Sequence, residues 1–116
     1  MIDIEFLIAL CKVALADGSK MVEAFRKRKL IREEKELLIA ASEKGEFRFL
    51  SADQTSETWV RVGAKDFCDN KDPSYAAIYL DAFRSLCERG YIAYESGILF
   101  KLTGSGFKRA RELAKG

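Results

Sequence analysis

The sequence predicts a small α+β domain, and three observations lead there. Of its 116 residues, 48% are hydrophobic and the net charge is only +2, a balance that supports a packed core and excludes a disordered chain. The apolar pattern has a helical period at both ends and in the middle, with two alternating stretches between. Each apolar stripe is also too short to be stable alone, so helices and hairpins must pack on one another.

Residues 2–17, IDIEFLIALCKVALAD, carry apolar side chains on almost every face. A helix apolar all round must be covered on all sides, and one small core covers only part of it. Part of this helix is therefore expected to pack on a second copy of the chain through Ile4, Leu7, Ile8 and Cys11. Gly18 ends it and Ser19 caps the next helix, which runs from about residue 20 to 44. The phase of the apolar residues slips within Arg26-Lys27-Arg28-Lys29, so a bend or restart is expected there. Residues 1–30 thus form an N-terminal helical extension for dimerisation, and residues 31–116 the main domain.

From Glu46 the period becomes alternating. Residues 47–50 and 58–62 read as the strands of a hairpin joined by the polar segment 51–57, SADQTSE. Residues 65–69 are expected to make one or two helical turns, and Asn70-Lys71-Asp72-Pro73 a turn whose proline suits the first position of a helix. That helix spans 74–89, with a core face of Ala76, Leu80, Phe83 and Cys87 and an outward face of Ser74, Tyr75, Ile78, Asp81, Ala82, Ser85 and Arg89. Strands at 91–94 and 98–102 flank Glu95-Ser96-Gly97, and Thr103 caps a last helix to Ala114.

The series Leu86-x-x-x-Gly90-Tyr91-Ile92, a short hairpin, then Leu102-Thr103-x-x-Gly106 resembles the second half of a winged helix-turn-helix domain. The likeness covers 74–114 well and 31–73 more loosely, with a whole hairpin where one strand is usual. It implies a domain in which the helix at 65–69 precedes a recognition helix at 74–89 that enters a DNA major groove, with a wing at 95–97 on the phosphates.

Composition narrows the function. There is no His, the commonest general base and zinc ligand, so no catalytic site, metal or cofactor is expected. Cys11, Cys68 and Cys87 are odd in number and widely spaced, which fits buried thiols in a reducing compartment. Two acids near the N-terminus and the lack of any apolar run of about 20 residues lead to the expectation of a cytoplasmic protein that contacts no membrane. Charge is uneven: residues 19–45 carry eight bases against five acids, and residues 74–116 seven against four. The candidate nucleic-acid contacts are therefore Arg26, Lys27, Arg28, Lys29, Lys71, Ser74, Tyr75, Arg89, Lys108, Arg109 and Arg111. Ile78 and Ala82 join the α-helical N-terminal set as candidate partner contacts. Two readings stay open: a homodimeric DNA-binding regulator, and a scaffold of the same fold that binds protein without touching nucleic acid.

Overall fold

The computed structural model describes residues 3–16, 20–52, 57–69 and 71–116, with only the backbone of residues 16, 20 and 21. The expected stop at Gly18, cap at Ser19 and turn residue Asn70 lie outside the described residues, as does most of the polar link 51–57.

Helices α1 (Ile4–Ala16), α2 (Lys20–Lys27) and α3 (Arg32–Ala40) come first. Asp3 starts α1 by accepting the Phe6 N–H at 2.8 Å. The break between α2 and α3 falls in the basic run, where the phase slips. The Glu34 side chain accepts the Ile31 N–H there, and so caps the start of α3. Strands β1 (Glu46–Ser51), β2 (Thr58–Val62) and β3 (Lys65–Phe67) follow, then α4 (Pro73–Glu88), β4 (Ile92–Ser96), β5 (Leu99–Leu102) and α5 (Gly104–Lys115).

The strands form one antiparallel sheet in the order β3-β2-β1-β5-β4. Alternation puts Phe47, Phe49, Val60, Val62, Phe67, Ile92 and Phe100 on a buried face. Helices cover that face: α4 lies against β2, β3 and β4, α1 against α4 and β4, and α5 against α3 and β5. The rings of Phe47 and Phe100 both pack on Phe83 at 5.3 Å between centroids. Leu7 and Cys11 of α1, Leu30, and Leu37 and Leu38 of α3 belong to the same core. α5 is seated by close backbone approach, because a side chain at Gly106 would strike the Tyr91 carbonyl and one at Gly45 would strike the Phe107 ring.

One element departs from expectation. Residues 65–67 are a strand where the sequence reading put a helical turn, with Val60 opposite Phe67 and Arg61 opposite Asp66. Three residues are too few to show a period. What holds them extended is tertiary: Phe67 is buried, stacked on Tyr79 at 4.8 Å, and Asp66 is gripped by Arg61. A helix preceding α4, as a helix-turn-helix pair requires, is therefore not found at 65–67. The mixed α+β class itself holds, and no helix among the described residues is long and apolar enough to cross a membrane.

Candidate interaction surfaces

The basic run after α2 is divided between structure and solvent. Arg89, expected on the outer face of α4, is 3% exposed. Its guanidinium donates to Glu34 at 2.9 Å and to the carbonyls of Phe25 and Arg28 at 2.7 Å each, with Lys29 at 3.3 Å. These carbonyls belong to the end of α2 and its exit, where the helical ladder runs out and the Arg28 N–H, donating to Phe25 at 3.2 Å, serves one of them. Arg26 does the reverse. It donates to the carbonyls of Arg89 (2.7 Å) and Gly90 (3.4 Å) at the end of α4, and lies over the Tyr91 ring. Two arginines thus cap each other's helices; Arg89 has all of its nitrogens engaged, while the exposed Arg26 uses its Nε and one Nη. Arg28 sits over Phe25, while Lys27 and Lys29 are exposed.

The outward face of α4 is narrower than its period implied. Ala82 is 1% exposed and, with Arg89, faces inward; Arg89 meets Glu34 of α3, and both α3 and α1 pack on α4. Tyr75 is half-buried with its ring 4.8 Å from that of Tyr79, whose hydroxyl donates to Glu36 at 2.7 Å. Burial, then that hydrogen bond, pushes the Tyr79 phenol well above its usual range. Ser74 is taken up by the cap, its N–H and hydroxyl both donating to Asp72, and the Lys71 N–H donates to Asp69. Arg84 is tied to Asp81 and Glu88. Ser74, Ala77, Ile78 and Asp81 remain exposed, and none carries a positive charge.

On α1 the residues expected at a partner are those the chain covers itself. Leu7 and Cys11 are 0% and 1% exposed, against α4 and β4, and Ile4 and Ile8 are half-buried. The opposite side is left open, with Phe6 46% and Val13 56% exposed and Ala9 between them. A helix apolar on every face gives no signal as to which side its own chain takes.

α5 carries a second row of unpaired charge. Gly104, Lys108, Arg111 and Lys115 recur every three or four residues and are all exposed, while Gly106 and Ala110 face the core. This row, with Phe107 and Glu112, lines an open groove of about 520 Å³. The Arg111 guanidinium lies 5.2 Å above the Phe107 ring. Lys108, Arg111 and Lys115 have no ion-pair partner among the described residues, whereas Arg109 is half-buried on another flank and paired with Glu112. Lys115 belongs to the basic cluster of the last helix in the sequence, and its spacing of four from Arg111 and seven from Lys108 places it in this row.

The sheet's second face is half-exposed but charge-balanced. Arg48 pairs with Glu46, Lys101 with Glu95, and Arg61 with Asp66 at 2.6 Å. Asp66 also accepts the Trp59 indole N–H at 3.0 Å, and the Arg61 hydrogen bonds hold its carboxyl below the usual carboxylate range. With each cation already opposite a carboxylate, this face offers little to an anion.

Comparison of the chain with protein-family models, with curated proteins and with solved structures returned no match.

Proposed function

We propose that the protein is a winged-helix interaction module that acts as a homodimer and holds duplex DNA by its phosphate backbone through α5, as a DNA-binding regulator. Support for the fold comes from the order α3, β1, α4, β4-β5, α5, in which the strand after the first helix of that series pairs with the second strand of the hairpin. The hairpin at β2-β3 stands where the short helix would be. The observation that carries the DNA contact is the row of Lys108, Arg111 and Lys115, three unpaired cations along one helix face. Bases on α4 would be needed to read sequence in a groove, and its exposed residues are Pro73, Ser74, Ala77, Ile78 and Asp81. Binding is therefore strong in charge and weak in sequence discrimination. The three free thiols, Cys11, Cys68 and Cys87, fit a cytoplasmic setting.

The test is a titration of mixed-sequence duplex at several salt concentrations. Affinity is expected to fall steeply with salt, and each of Lys108→Glu, Arg111→Glu and Lys115→Glu to reduce the logarithmic salt slope by about 0.9. Absence of binding even at about 50 mM salt would leave the protein-binding reading, for which the exposed Ile78 and Ala77 on a helix face without bases are the favouring observation.

A further inference from the structure

The α1 helix leaves a face uncovered, and both its apolar residues and its charges bear on what covers it. Phe6, Ala9 and Val13 follow one another at spacings of three and four, and so form one stripe over two turns on the side away from α4 and β4. Along one edge of that stripe stand Glu5 and Lys12, seven residues apart and both exposed. They lie roughly 10 Å apart along the axis, too far to pair with each other, and neither has an ion-pair partner among the described residues.

A symmetric pair requires that whenever residue i meets residue j, j also meets i. An acid and a base at opposite ends of one stripe meet that condition when the two helices run antiparallel. With the twofold axis between residues 7 and 8, each Glu5 lies within roughly 3 Å along the helix axis of the partner's Lys12, within reach of the two side chains, forming the charge pair twice. The same register sets the large Phe6 against the partner's small Ala9. A parallel pair stacks Phe6 on its own copy and sets Glu5 beside Leu10, which gives the acid nothing to pair with.

We infer that the occupant of this face is a second copy of the chain, its α1 antiparallel to the first, with Phe6, Ala9 and Val13 at the interface and two Glu5–Lys12 pairs fixing orientation. This rests on the homodimer part of the proposed function and is independent of the DNA contact. The interface is one helix pair, so the dimer belongs to the small and weak class.

Sedimentation equilibrium of the full chain from about 1 to 100 µM tests it. Glu5→Lys and Lys12→Glu each turn two attractive pairs into two repulsive ones and are expected to weaken association about tenfold. The double variant E5K/K12E restores both pairs in reverse and is expected to return to within about threefold of the starting affinity. Val13→Asp leaves only monomer. Since Glu5, Lys12 and Val13 are exposed, the variants keep the fold, checked by circular dichroism. A wild-type protein monomeric throughout that range overturns both this inference and the homodimer reading. A wild-type dimer that Val13→Asp leaves intact, or that the double charge swap fails to restore, overturns antiparallel pairing through α1 and leaves the homodimer reading standing.

Discussion

Arginines at the junction of α2 and α4 and cations on α5 are the same kind of residue with opposite fates. At the junction, Arg26 and Arg89 are surrounded by carbonyls that have lost their helical partners, and Glu34 brings a carboxylate to within 2.9 Å of Arg89. On α5, Lys108, Arg111 and Lys115 line an open groove whose one carboxylate, Glu112, is paired with Arg109 instead. The difference lies in the backbone around each cation, because a helix end that is packed against another helix needs donors and an exposed helix flank does not. A basic cluster in a sequence is thus no measure of a basic surface until the helix ends it serves are known.

The contrast can be broken most severely at Arg89. Arg89→Met leaves Glu34 buried without its cation and the carbonyls of Arg28 and Lys29 without the donors Arg89 supplied, and is expected to cost about 3 to 5 kcal/mol in chemical denaturation. Replacing Glu34 by Gln as well should recover only part of that, since the carbonyls of Arg28 and Lys29 still lack the donors Arg89 supplied. Arg26→Ala removes the reciprocal cap from an exposed side chain, so a smaller loss of about 1 to 2 kcal/mol is expected by the same assay. Reversing all three α5 cations, by contrast, should leave stability within about 0.5 kcal/mol while abolishing the duplex binding proposed for this row. Equal destabilisation by the α5 and Arg89 changes would erase the distinction.

The sheet offers a milder check of the same kind. Because Arg61 lowers the Asp66 pKa in the folded state, the pair stabilises the fold above the unfolded value of about 3.9, and that contribution fades as pH falls through the folded value. Asp66 is partly exposed, so screening keeps the contribution under about 1 kcal/mol. Asp66→Asn should flatten the acid limb of stability below about pH 4 and leave stability at higher pH lower by that amount, followed by thermal melting between acid and neutral pH.

Legibility followed the range of the forces involved. α4 was readable from Asp72, Pro73 and its stripe, and in the structure Asp72 accepts the Ser74 N–H as a cap. The same holds for α5, where Thr103 accepts the Gly106 N–H, and for the β4-β5 hairpin, where Gly97 takes φ of 55°. These are signals within four residues. What could not be read depended on distant partners. Arg89 meets Glu34 55 residues away, and Ala82 is buried under helices packed on α4, so both looked outward on helical phase alone. β3 is a strand because of Tyr79 and Arg61, and α1 shows its own chain the face with Leu7 and Cys11 rather than the one with Phe6 and Val13 because of where α4 and β4 stand. The row on α5 was half legible: Lys108 and Arg111 stand out in any count of bases, but Arg109 belongs to another flank.

The two ends of the sheet limit how copies of this chain can meet. At one end β3 spans three residues, and at the other β4 carries a bulge between Tyr94 and Ser96 that breaks the regular ladder. A short edge and an interrupted one are poor templates for an added strand. Growth of the sheet from molecule to molecule, the usual route from a small β-containing domain to fibrils, is thereby blunted at both margins, which leaves helix surfaces as the places where association stops at a defined number of copies.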